Sequence, residues 1–167
     1  MPATYELAAI LPSCAGLPVE RFAPGAVLIA EGPAIGHLYI LKSGEVEVLR
    51  HGQQVATNAE AGAIYGEMSA LLGQDHSATV RAIDDVEVYR LDDAAAALRA
   101  NPDLLYHVAT ILARRLIGAT NYLADLKQQF ADRSDHLGMV DTVLDALVQR
   151  QRPTVTAGSI LTTDPRL

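Results

Sequence analysis

The sequence predicts a mainly β protein with added helices: a β-sandwich or jelly roll, then a long C-terminal helix and a short terminal helix. Three observations predict it. Short β-branched and aromatic runs recur from His37 to Leu91. Glycines punctuate the same region, from Gly25 to Gly73. After Asp92 the apolar period changes from two to a mixture of three and four.

The strands come first. "HLYILKSG" and "EVEVLR" are separated by the turn signal Lys42-Ser43-Gly44. In the second run Val46 and Val48 alternate with Glu45 and Glu47, as in a strand with one wet face. "HGQQV" reads as a hairpin turn feeding a further strand, and "SATVRA" and "DVEVYRL" repeat the alternation around Asp84-Asp85.

The helices follow. "EMSALL" is a short apolar helix opened by the pair Gly66-Glu67, and "DDAAAALRA" is a second short helix. Asn101 is the expected N-cap of a long one, with Pro102 suited to its first position and Asp103 to its dipole. That helix is expected to run to about Ala131, with Gly118 its weak point. Leu105, Ala109, Leu112, Leu116, Ala119, Leu123, Leu126 and Phe130 alternate spacings of four and three, a coiled-coil seam. The expectation is that the stripe covers the sandwich in its first half and pairs with a second copy in its second. "DRSDHLG" breaks the helix, Ser134 or Asp135 caps a last one near Met139 to Arg150, and the tail from Pro153 has no period. The expected divisions are therefore 1–100 for the sandwich and its flanking helices, 101–131 for the long helix as lid and dimer seam, and 132–167 for the short helix and tail.

Composition excludes several classes. A net charge of -7 argues against nucleic acid or an anionic membrane as the main partner. The single cysteine, Cys14, permits neither an intramolecular disulfide nor a cysteine metal cluster. "MPATYELAAILPSCAG" lacks the basic and long apolar regions of a secretory signal, and no window reaches membrane-span length. A soluble cytoplasmic protein is expected.

"RFAPGAVLIAEG", "HLYILKSGEVEVL", "GAIYGEMSALLG" and "SATVRA" together resemble the cyclic nucleotide-binding domain of the CRP/FNR regulators and protein kinase A regulatory subunits, from Val19 to Phe130. "NPDLLYHVATILARRL" is similar to the helix that follows this domain in the CRP-type activators. The resemblance implies a jelly-roll β-sandwich, no enzymatic activity, and a cyclic nucleotide (cAMP or cGMP) as ligand rather than any cofactor. It places the cyclic phosphate at the start of the "EMSALL" helix, where free N–H groups and the dipole favour an anion. The implied ligand set is Gly66, Glu67, Met68, Ser69, His76, Ser77 and Thr120. Gly66 permits close backbone approach, Glu67 accepts from the ribose 2′-hydroxyl, Ser69 offers its N–H, and Ser77 sits beside the phosphate.

His76 departs from the pattern, because the family carries at this position an arginine that forks onto the phosphate. Histidine is neither permanently charged nor bidentate, and the lost fork is worth about 1.5–3 kcal/mol, roughly one to two decades of affinity. Arg81 lies farther along the strand and is poorly aimed to replace it. His76 is expected to act as a part-time cation, so that binding is strongest at low pH. The resemblance also puts the adenine-contacting hydroxyl pair on Ala119 and Thr120, so one hydroxyl is lost; Thr120, with Asn121 beside it, remains to meet a purine edge.

Three functions compete. The first is a cyclic nucleotide sensor whose long helix, through Leu116, Leu123, Leu126 and Phe130, forms a homodimer and passes the signal to an unknown downstream protein. The second is a degenerate fold that serves as a ligand-independent dimerisation or docking module. The third is a metal-binding jelly-roll enzyme, but His37, His51, His76, His107 and His136 are dispersed with no HxH pair, so no metal site is expected. No recognition helix is read after Phe130, so no direct DNA binding is expected.

Overall fold

The computed structural model describes residues 6–129. The expected helix over 139–150, its caps Ser134 and Asp135, the seam residue Phe130, His136 and the tail from Pro153 lie outside them. The described residues fall into two compact units that divide between Arg114 and Arg115.

The first unit opens with a 3-10 helix, Leu7–Cys14, and then holds eight strands: β1 (Val19–Phe22), β2 (Val27–Ile29), β3 (Leu38–Ser43), β4 (Val46–Arg50), β5 (Gln53–Asn58), β6 (Ile64–Tyr65), β7 (Thr79–Ala82) and β8 (Val86–Leu91). Every pairing is antiparallel. One sheet runs β1-β8-β3-β6 and the other β2-β7-β4-β5, the interleaved order of a jelly roll. The β4–β5 turn holds His51 at φ 52 and Gly52 at φ 77, a pair of left-handed residues that matches the twist of a tight hairpin. The alternating valines explain the core: Val46, Val80, Val86 and Val88 are all buried, joined by Leu38, Ile40 and Leu41 of β3.

Three helices are built on this frame: α1 (Glu67–Leu72), α2 (Ala94–Ala100) and α3 (Pro102–Gln129). Asp93 caps α2 by accepting from the Ala96 N–H at 3.3 Å. Asn101 caps α3 as the sequence implies, its Oδ1 accepting from the Leu104 N–H at 3.1 Å. No helix among the described residues is long and apolar enough to cross a membrane.

The face of α3 that joins the core corrects one expectation. Leu104, His107, Val108 and Ile111 are buried, whereas Leu105 is 41% exposed and Ala109 is exposed too. Of the expected stripe only Leu112 is half-buried there. The helix is turned by one position, about 100°. His107 hid this face, because a search for apolar residues finds a gap at a histidine. Its Nε2–H donates to the Gly62 carbonyl at 2.9 Å, which meets the polar demand of a fully buried ring. Gly62 in turn has φ +90, and a Cβ there would run into the Leu7 carbonyl. One glycine thus joins the 3-10 helix, the turn before β6 and α3.

Candidate ligand-binding site

Buried Ile64 and Tyr65 of β6 deliver the chain to Gly66, which caps α1 at φ 91, in the left-handed region. A Cβ at this position would lie 2.7 Å from the His37 carbonyl oxygen, so a larger residue fits neither the conformation nor the space. Gly66 contributes no capping side chain. The first intrahelical bond runs from the Ala70 N–H to the Gly66 carbonyl at 3.2 Å, so the N–H groups of Glu67, Met68 and Ser69 precede the helical ladder. Gly73 closes α1 in a second left-handed turn, its N–H donating to the Ser69 carbonyl at 2.9 Å. Of the α1 side chains, Glu67 (3% exposed) and Ser69 (8%) point inward, whereas Met68, Leu71 and Leu72 are exposed.

His76 follows on the loop after α1 and is 7% exposed. Its backbone pairs with Gly32 on the loop between β2 and β3: the His76 N–H donates to Gly32 O at 2.7 Å and the Gly32 N–H to His76 O at 3.0 Å. Its ring reaches two further partners, Ser69 Oγ at 2.9 Å from Nδ1 and the Ile35 N–H, which donates to Nε2 at 3.3 Å. A backbone N–H can only donate, so Nε2 carries no proton and the ring is neutral, with its hydrogen on Nδ1. Burial pushes the His76 pKa below the ordinary histidine value, against the Asp75 and Glu67 carboxylates, which pull it upward. These contacts favour the neutral ring over the cation expected from the sequence. This ring is buried, neutral and engaged with the protein on both nitrogens.

A cavity of about 440 Å³ lies between this loop, α1 and the start of α2. Gly66, Ser69 and His76 line it, together with Ile35, His37 and Asp93, and among the described residues neither lysine nor arginine does. Glu67, Met68 and Ser77 are not in its wall. Ser77 is exposed on the loop before β7. Arg81 on β7 is spent on Glu47 of β4, with Nε and Nη2 each 2.6 Å from Oε1. Gly32 and Ile35 meet His76 through backbone groups, which no side-chain pattern displays. The one signal that could have found them is the glycine-flanked "GPAIG" loop.

Thr120 belongs to the second unit, where it is exposed and donates to the Leu116 carbonyl of its own helix at 2.8 Å. In that unit Leu116 is 44% exposed, and Leu123 and Leu126 are half-buried. No group of three histidine, cysteine or acidic residues could hold a metal ion among the described residues.

The family profile of the cyclic nucleotide-binding domain matches residues 19–97, from β1 into α2. The cyclic AMP receptor protein of Thermus thermophilus is 38% identical over 85 residues, covering 47% of this chain and 39% of that protein. A cAMP-dependent protein kinase regulatory subunit of Hypocrea atroviridis is 35% identical over 75 residues, covering 45% of this chain and 16% of that protein. The chain thus spans well under two thirds of either relative. The crystal structure of the Thermus thermophilus catabolite activator protein shares the fold, with a TM-score of 0.56 at 22% identity over 85% of this chain and 83% of that one.

Proposed function

We propose, from the premise that residues 19–97 form a cyclic nucleotide-binding domain of the CRP type, that the chain is a non-enzymatic sensor of a cyclic nucleotide, cAMP or cGMP. The observation that carries this reading is the opening of α1. Gly66, with no Cβ and no capping side chain, lets a ligand approach the Met68 and Ser69 N–H groups within the segment that matches the family. In this reading the N–H groups of Met68 and Ser69 and the Ser77 hydroxyl take the cyclic phosphate, and Glu67 accepts from the ribose 2′-hydroxyl. His76 holds the cradle in shape rather than supplying charge.

The sandwich and short helices (1–100) would hold the ligand, and the long helix (101–131) would transmit its arrival, with 132–167 beyond it. The apolar, partly exposed Leu116, Leu123 and Leu126, continued by Phe130, support pairing of two copies. Light scattering of a monomer mass at high micromolar protein would reject that pairing. The acidic balance argues against DNA as a direct partner, and the reading has a cytoplasmic protein that signals to another protein.

Calorimetric titration with cAMP and cGMP tests the reading. Wild type is expected to bind one of them, and Glu67→Ala to bind roughly ten- to a hundredfold more weakly, the worth of a charged hydrogen bond. Glu67→Gln, which keeps the shape, separates the contact from the fold. A ligand-independent docking module is the second reading, favoured by the neutral His76 and a cavity wall that, among the described residues, holds no lysine or arginine. No binding of either nucleotide at millimolar concentration would establish it over the first.

A further inference from the structure

We propose that the neutral His76 ring is a clasp that fixes the loop Gly32–Ile35 against α1, so that the ligand site is assembled only while the ring is unprotonated. The link to affinity rests on the cyclic nucleotide reading above; the clasp itself does not. His76 is here a positioning residue, joining three segments far apart in sequence. Its backbone holds Gly32, its Nε2 accepts from the Ile35 N–H, and its Nδ1–H meets Ser69 Oγ, in the turn of α1 that offers the N–H groups.

A protonated imidazole has two donors and no acceptor. Its new Nε2–H would face the Ile35 N–H, and the contact would change from a bond to a clash of like dipoles. The surroundings divide on this proton. Glu67 from α1 and Asp75 from the same loop favour the charged ring, while burial opposes it. His37, at the start of β3, and Asp93, the cap of α2, line the same cavity. His37 Nε2 accepts from Arg90 Nη2 at 3.0 Å, while Asp92 Oδ1 lies 2.9 Å from its Nδ1 without the geometry of a hydrogen bond. The loop Gly32–Ile35 carries no ionisable side chain.

The sign is opposite to that of a cationic phosphate ligand. The unclasped state binds more protons, so the clasp is complete above the ordinary histidine range and is lost as pH falls through the lowered value of His76. If only the clasped state binds, affinity falls about twofold at the pH of half-protonation and about tenfold one unit lower.

Two measurements on the full chain test this. One is cAMP titration from pH 5 to 8 for wild type and for His76→Gln, which keeps an acceptor for Ile35 but cannot titrate. The other is nitrogen NMR of the ring and of the Ile35 amide over the same range without nucleotide. The clasp predicts a proton on Nδ1, an Ile35 signal that moves with the ring's titration, wild-type affinity that weakens on acidification, and a flatter His76→Gln profile. Affinity that strengthens on acidification, an unchanged profile in His76→Gln, or an Ile35 amide indifferent to the ring would overturn it. The titration is repeated with cGMP; if neither nucleotide binds at any pH, the functional reading fails, and the NMR titration alone decides the clasp.

Discussion

Two buried histidines, His76 and His107, occupy regions that are built alike and bonded in opposite senses. Near each stands a glycine with φ close to +90°, Gly66 at +91° and Gly62 at +90°. In both cases an added Cβ would meet a backbone carbonyl, that of His37 or of Leu7. His107, however, donates to a carbonyl, so its bond needs a proton on Nε2. His76 accepts from an N–H, so its bond needs Nε2 bare. Burial alone therefore does not say what a histidine does; the polarity of its partner does. The first region is a fixed joint between α3 and the turn before β6, and the second is a joint that a proton can open.

The glycines give the largest test of this contrast. Gly62→Ala is expected to cost roughly 2–5 kcal/mol in urea unfolding, since it adds backbone strain to a collision with the main chain. Gly66→Ala is expected to cost less, about 1–3 kcal/mol, and also to weaken nucleotide binding. Equal losses with intact binding would reduce Gly66 to a turn residue and erase the distinction between the regions.

His107→Leu comes next. It fills the space but leaves the Gly62 carbonyl without its ring donor, at a cost of about 1–3 kcal/mol, with nucleotide affinity expected to hold. Lost affinity would mean that the two regions are one. Ser69→Ala is the smallest change, about 1 kcal/mol, because it removes one hydrogen bond of the clasp and leaves the one from Ile35. Its mark should appear in the His76 ring signals more than in the unfolding midpoint.

Much of the fold was legible where one face of a strand is wet. Val46 and Val88, alternating with glutamates, announce β4 and β8, and the Asn101 cap announces α3, because these signals are local. The 3-10 helix and the buried face of α3 were not legible. Leu7, Ile10 and Cys14 keep spacings of three and four, but over so few residues and with Pro12 among them the period is too short to read, and His107 interrupts the stripe that α3 buries. At the site, Gly66 and Glu67 could be read from their order and spacing. The state of His76 could not, because it is set by Ile35, 41 positions away, through a backbone N–H that no sequence pattern displays.

The strand order of the two sheets carries a consequence for chain closure. Arg50 pairs with Gln53 across a tight turn, while Val19 waits for Tyr89. Between them β3 meets β6 and β2 meets β7, each pair enclosing the one before it. The entropic penalty of joining two chain ends grows with the logarithm of the loop between them, so the innermost pairing is the cheapest start. Each pairing then shortens the free chain that the next must gather. These four pairings are nested like parentheses, and during synthesis at roughly 5–20 residues per second the first strand stays without its partner for several seconds, until the last strand has emerged.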